Sequence, residues 1–277
     1  MLKKIVCCTS GGGDSIADGL IMLTKGYEVI FLHIPHGQKS ELGERLSVEA
    51  IVSGLQERGY PARSKIIDSL WLGKLGGSNL TDPNRPVPDG LEGTFGSTIG
   101  KIFTPNRNAV LLGIAGAVAE VERAEIITFG CNQSEVGYMD NTKDFLDAYT
   151  KVLEYSTYHI HPTVISPEWK WDKVEIYRWY HESGFEWALS LVWPCDDAPY
   201  TVKLPVRDRS DIIACGHCGC DRNRQVVYYI LNKLYGYTDG QTYADPHWFE
   251  DVFLPEIRKR GIPDNKWFKK YEKVLLE

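Results

Sequence analysis

The stretch Lys3–Ser15, KKIVCCTSGGGDS, constrains the fold more than any other part of the chain. An apolar run of strand type stops at three consecutive glycines. Helical spacing follows (Ile16, Leu20, Leu23), predicting a helix over Ser15–Lys25 that Gly26 ends. A glycine loop between a strand and a helix turns backbone N–H groups toward an anion, with the helix N-terminus behind them. Gly11, Gly12 and Gly13 are expected to take positive φ and to let the backbone come close. Ser10 and Ser15 would add hydroxyl donors. The Walker A order needs a Lys before its Ser/Thr, and Asp14 stands there instead; G-x-G-x-x-G is also missing. The bland alternative is a glycine turn joining two elements.

The same rhythm continues downstream. EVIFLHI (28–34), ARSKIID (62–68) and EIITFG (125–130) read as strands. Glu41–Glu57, Asn108–Arg123 and Thr142–Tyr155 read as helices. Alternation of this kind predicts an α/β fold, a parallel sheet with helices on both faces and ligands at the carboxyl ends of its strands. Ala109–Ala119 is too short to span a bilayer and reads as a buried helix. No membrane segment and no signal peptide are read, which predicts a cytoplasmic protein. A net charge of −6 does not advertise a nucleic-acid surface. Residues 73–100 form a long Gly/Pro/Asn/Asp-rich loop, a functional or mobile type. Trp169, Trp171, Trp179, Trp187 and Trp193 read as core rather than as a stacking platform. The tail, Tyr237–Glu277, carries a helical stretch over 247–261 and would cap the fold or form an interface. The divisions read from texture are 1–166, 167–236 and 237–277.

Four of the seven cysteines belong together. Cys215 and Cys218 have knuckle spacing, Cys220 follows one residue early, and Cys195 lies upstream. In a reducing compartment such clusters favour metal over disulfide. Four thiolates would form a closed tetrahedral Zn²⁺ site of the structural type. The alternatives are buried free thiols, a redox pair, or His217 replacing one ligand.

SGGGDS resembles the S-G-G-x-D-S loop of the PP-loop ATP pyrophosphatases, which split ATP between its α and β phosphates. With CGHC late in the chain, the sequence resembles the QueC family, the 7-cyano-7-deazaguanine synthases. HGQKSELGE (36–44), TPNRN (104–108), GYMD (137–140) and WDKVEIYRW (171–179) are similar to further family segments, in family order, from about Lys4 to Arg224. The resemblance implies a Rossmann-like adenine nucleotide alpha hydrolase fold with a C-terminal zinc-binding and helical region. It implies ATP-dependent adenylation of the carboxylate of 7-carboxy-7-deazaguanine, then attack by ammonia to give the amide and, after a second adenylation, the nitrile. By residue, Ser10, Gly11, Gly12, Gly13, Asp14 and Ser15 would hold pyrophosphate, with Asp14 organising Mg²⁺. Gln38 would lie near the nucleotide, and Arg107 and Asn108 would line the cleft. Tyr138 and Asp140 would meet the base, Asp140 taking hydrogen bonds from its amino and ring N–H groups. Lys173 would neutralise developing negative charge. Members are commonly homodimers. Bland readings stand beside these: Arg107–Asn108 as a helix entry, Asp140 as a helix cap, Lys173 as a solvated helix residue.

The sequence also departs from the family. GYMDNT stands where the family has G-Y-P-D-C-R, and the zinc run reads C-x₂-C-x-C in place of C-x₂-C-x₂-C. Residues 196–214 contain an insertion, and the chain extends past about residue 236. These changes lie on the substrate side, so an altered acceptor or partner is expected. Three functions stay open: a small-molecule enzyme making amide or nitrile, a QueC-like enzyme conjugating the activated deazaguanine to a partner protein's amine in anti-phage defence, and a non-catalytic nucleotide-binding module. Another PP-loop acceptor such as tRNA is disfavoured by the negative charge and by the lack of a cysteine pair near the loop.

Overall fold

The computed structural model describes residues 2–96, 98–134 and 138–277. Its centre is a parallel five-stranded sheet of order β3-β2-β1-β4-β5. The strands are β1 (Lys4–Cys8), β2 (Glu28–His33), β3 (Ala62–Ile66), β4 (Ile126–Phe129) and β5 (Thr163–Ile165). Alternate side chains of β1 enter opposite layers. Ile5 and Cys7 join one apolar cluster, Val6 and Cys8 the other, as the period of two requires when both faces are covered. All four are buried.

One layer contains α1 (Gly13–Thr24) and α2 (Glu41–Glu57). The other contains α6 (Arg107–Glu122) and α7 (Lys143–Ser156). Within Ala109–Ala119, read as a buried helix, Leu112, Ala115 and Ala119 are fully covered whereas Gly113 and Ala117 are exposed, so α6 buries one face. The long loop after β3 is broken by three short helices: α3 (Trp71–Lys74), α4 (Gly90–Phe95) and α5 (Ile99–Ile102).

After β5 the chain adds α8 (Lys173–Glu182), α9 (Glu186–Leu189), the antiparallel pair β6 (Tyr200–Thr201) and β7 (Ile212–Ile213), and α10 (Gly219–Tyr235). The tail supplies α11 (Leu254–Arg260), α12 (Lys266–Lys270) and α13 (Glu272–Leu276), with a π-helical turn at Phe249–Phe253 ahead of α11. Tail residues Trp267, Phe268 and Leu275 share one apolar cluster with Ile5 of β1 and Ile16 of α1. The tail therefore caps the sheet from within the core. Of the five tryptophans expected there, Trp193 is fully buried, and Trp171, Trp179 and Trp187 pack partly buried against the core. Trp169 is half-buried. In the inserted stretch, Arg209 lies over the Trp193 ring at 4.8 Å and donates to Leu191 O at 3.3 Å, which ties the insertion to the core.

Candidate active site

The strand order reverses at β1, and the glycine loop leaves its carboxyl end. A cleft of about 530 Å³ opens there. Only Gly11 of the three glycines takes positive φ, at +75°. The expectation for Gly12 and Gly13 fails because Gly12 is already the extended N-cap, φ −76° and ψ 162°, and the helix starts at Gly13. What demands glycine at these positions is space. A Cβ on Gly11 would lie 2.7 Å from Glu44 O, and one on Gly13 would lie 2.6 Å from the Tyr177 hydroxyl. Gly11 itself does not line the cleft; its N–H donates to Thr9 Oγ1 at 2.9 Å and its carbonyl accepts from Trp193 N at 2.8 Å. Ser10, Gly12, Gly13, Asp14 and Ser15 do line it. The first helical bond runs from Ile16 N to Gly12 O at 3.1 Å, so the Gly13, Asp14 and Ser15 amides belong to the anion-binding first turn.

Helix α8 backs this loop. Lys173, Tyr177 and Tyr180 fall on one helical face at i, i+4 and i+7. Lys173 Nζ pairs with Asp14 Oδ2, with side chains only 13% and 16% exposed. Lys173 is therefore not the solvated helix residue of the bland reading. Tyr180 donates to Gly13 O at 2.6 Å. Asp14 also accepts from Asn132 Nδ2 at 2.8 Å, a contact with no motif to announce it. The α8 N-terminus is fixed by a capping box, Asp172 with Glu175. The tail holds that box: Lys270 Nζ donates to Asp172 at 2.5 Å and the Tyr271 hydroxyl to Asp172 at 3.1 Å.

The remaining expected residues divide. Gln38 lines the cleft, but its amide is spent on local structure, donating to Glu44 at 2.8 Å and accepting from His36 N at 2.8 Å. Arg107 and Asn108 line the cleft too. Asn108 accepts from Arg107 Nε at 3.1 Å and donates to Asp140 O at 3.0 Å, so it orients the arginine and the 138–141 segment. Tyr138 is on the cleft wall; Asp140 is not, and its neighbour Asn141 is. Nor does Asp140 cap α7: Thr142 does, accepting from Phe145 N at 3.2 Å. Gly137 of the GYMD segment lies outside the described residues. The wall also includes residues the sequence left unassigned, among them His36, Asp196 and Arg222. Burial lowers the pKa of His36, favouring the neutral imidazole, and pushes the Asp196 carboxyl up to about 6.

The cysteine cluster forms with one substitution. Cys195, Cys215, Cys218 and Asp221 are all buried and place one ligand atom each within 4.8 Å of the others. Cys220 is not in this group; it is exposed and lines the cleft. The physical reason is helical: Cys218 caps α10, and the residue one turn on, three positions later, is Asp221. The run is thus C-x₂-C-x₂-D, a regular spacing that would have pointed to Asp221. Asp221 Oδ2 lies 3.1 Å from Cys215 Sγ and 3.4 Å from Cys218 Sγ, and Cys218 Sγ lies 3.9 Å from Cys195 Sγ. Thiolates about 2.3 Å from a tetrahedral ion stand roughly 3.8 Å apart, so the donor set fits a metal ion. Burial raises the Cys218 thiol and the Asp221 carboxyl above their ordinary ranges, an electrostatic cost that a bound cation would relieve.

Beneath the loop lies a buried acid pair. Asp18 on α1 and Glu168 before α8 are each 0% exposed. No hydrogen bond of ordinary geometry reaches any of their four oxygens, and the charge of Glu168 acts on Asp18. Burial raises both, Glu168 to about 7.

The sequence model of the family described as "Queuosine biosynthesis protein QueC" matches residues 4–231. The chain belongs to the QueC family. Its relatives include the 7-cyano-7-deazaguanine synthase of Methanoculleus marisnigri, 30% identical over 82% of this chain and 94% of that protein. That of Campylobacter fetus is 29% identical over 80% and 91%. That of Chlorobium chlorochromatii is 33% identical over 69% and 82%. Among solved structures, a 4-thiouridine synthetase in complex with RNA and bound ATP aligns with a TM-score of 0.42 and 20% identity, over 68% of this chain and 42% of that one. The QueC match stops at residue 231, so the tail that holds α8 lies beyond it. Among the described residues no helix is long and apolar enough to cross a membrane.

Proposed function

We propose that this QueC-family chain is an ATP-dependent enzyme that adenylates the carboxylate of 7-carboxy-7-deazaguanine and passes the acyl group to a nitrogen nucleophile, as its relatives' names suggest. The observation that carries the reading is the Asp14–Lys173 pair at the mouth of the glycine loop, in the same cleft as Arg107 and Tyr138. A carboxylate oxygen attacks the α-phosphorus, and pyrophosphate leaves into the first turn of α1, where the Gly13, Asp14 and Ser15 amides and the Ser10 hydroxyl receive it. Lys173 and Arg107 offset charge on the phosphates as the bond to pyrophosphate breaks. The nitrogen lone pair then attacks the carbonyl, AMP leaves, and the nitrogen loses one proton. With ammonia the product is the amide. A second adenylation, of the amide oxygen, followed by loss of AMP and of both nitrogen protons gives the nitrile.

Mg²⁺ would arrive with ATP, and Asp14 would share its carboxylate between that ion and Lys173. Zn²⁺ suits the buried Cys195, Cys215, Cys218 and Asp221 set, where it would join the start of α10 to the Trp193–Cys195 segment; a closed four-ligand site of this kind is structural. The test mixes the protein with Mg-ATP, 7-carboxy-7-deazaguanine and ammonium and follows products by mass spectrometry, with Asp14→Ala beside it. AMP with amide or nitrile is expected. No AMP from the wild type sinks the reading.

A further inference from the structure

At one end of the cleft the wall is built by the tail, through Pro263, Asn265, Trp267 and Phe268, together with Arg222 of α10. Arg222 is 8% exposed and Trp267 is 4% exposed. The Phe268 ring links them: it lies 4.9 Å from the Trp267 ring and 5.8 Å from the Arg222 guanidinium. Arg222 Nη1 is occupied, donating to Gly90 O at 3.2 Å and to Thr94 Oγ1. Its Nε–H has no acceptor, and neither has the Trp267 Nε1–H. Among the described residues no carboxylate forms an ion pair with Arg222. A metal-bound thiolate cluster would offer Arg222 diffuse negative charge but no acceptor for the Nε–H. Two orphaned buried donors and a guanidinium without a carboxylate are costly unless something else completes them. The free Nε edge of a guanidinium is half of the fork that grips a carboxylate bidentately.

We infer that Arg222 and Trp267 form a carboxylate subsite at the tail end of the cleft, one that receives an anionic group carried by the nitrogen nucleophile. The assignment to the nucleophile rests on the function proposed above. The reacting carboxylate must meet the α-phosphate beside the glycine loop, whereas Arg222 is held by Gly90, Thr94 and the Phe268 ring and makes no hydrogen bond to that loop. The subsite therefore reads a different group. Both orphan nitrogens are closed to solvent, so loading requires the Trp267 segment to move aside and then close on the ligand.

The test uses the full chain saturated with Mg²⁺ and the α,β-methylene analogue of ATP, which fills the loop without being cleaved. Calorimetry follows titration with acetate, glycine and methylammonium. Acetate and glycine are expected to bind saturably, and methylammonium not. Arg222→Met is expected to weaken carboxylate binding about tenfold or more, and Trp267→Phe, which keeps the ring and removes the N–H, about threefold or more. If Arg222→Met does not fold, Trp267→Phe decides. No saturable carboxylate binding, or binding unchanged in Trp267→Phe, overturns the subsite. A second arm compares glycine with methylamine as nucleophiles in the AMP-forming assay. Faster acyl transfer to glycine, lost in Trp267→Phe, places the carboxylate on the nucleophile; equal rates overturn that assignment. If no nucleophile yields AMP, the proposed function fails, while the calorimetry still judges the subsite by itself.

Discussion

Lys173 Nζ on α8 reaches Asp14 Oδ2 in the first turn of α1, a partner 159 residues away in sequence. The pair joins the anion-binding loop to a helix whose N-terminus is held by Asp172, Glu175, Lys270 and Tyr271. Removing Lys173 as Lys173→Met is expected to lower AMP formation about 10²-fold or more, on the scale of losing one transition-state charge partner. Steady-state kinetics with Mg-ATP checks it. A loss confined to ATP KM would place Lys173 in ground-state binding only.

Asp18 and Glu168 make stability depend on pH in a direction opposite to the usual carboxylate. Their pKa values are raised on folding, so the folded protein keeps a proton that the unfolded chain has lost. Their stabilising contribution is complete below the unfolded values near 4 and is lost as pH rises through about 7, the folded value of Glu168. Asp18→Asn supplies a permanent amide donor to Glu168. It is expected to raise Tm at pH 8 by a few degrees, at roughly 2–4 °C per kcal/mol, and to flatten the slope between pH 5 and 8. Calorimetric melts across that range decide; a lower Tm at pH 8 would contradict the raised carboxyl pair.

Metal content separates the two candidates for the fourth ligand. Cys220→Ser is expected to retain one metal per chain by elemental analysis, whereas Cys218→Ser and Asp221→Ala lose it. Chelation is expected to lower the Tm of the wild type and to leave Cys218→Ser unaffected. Loss of metal in Cys220→Ser alone would restore the four-cysteine assignment.

The close approach at Gly13 sets a steric test. A methyl there meets the Tyr177 ring, which is buried against Tyr228 at 5.7 Å and cannot retreat freely. Gly13→Ala is expected to cost about 1–3 kcal/mol, the range for overpacking a core. Because Tyr177 lies one turn after Lys173, AMP formation should also fall. Gly26→Ala makes a poor comparison because φ is +84° there; Gly240→Ala, with open space, ordinary φ and no place on the cleft wall, is the control that should keep both.

The sequence by itself determined the sheet layer and the loop. Strand runs such as IVCC and VIFL are apolar at every position because both faces of a parallel sheet are covered, and that pattern is local. The three glycines between β1 and α1 are local too, and so is the knuckle of Cys215 and Cys218. Some local signals went unread: Val226, Val227, Ile230 and Leu231 mark the buried face of α10, and C-x₂-C-x₂-D marks Asp221. What only the tertiary structure decided are meetings between distant segments. Asn132 beside Asp14, Glu168 beside Asp18 and Lys270 on Asp172 pair residues 95 or more positions apart, and no periodicity encodes such partners. β5 has three residues, too few for any pattern to show. Asp221 rather than Cys220 meets the thiols of Cys215 and Cys218, because a one-residue step along a helix swings the side chain by about 100°.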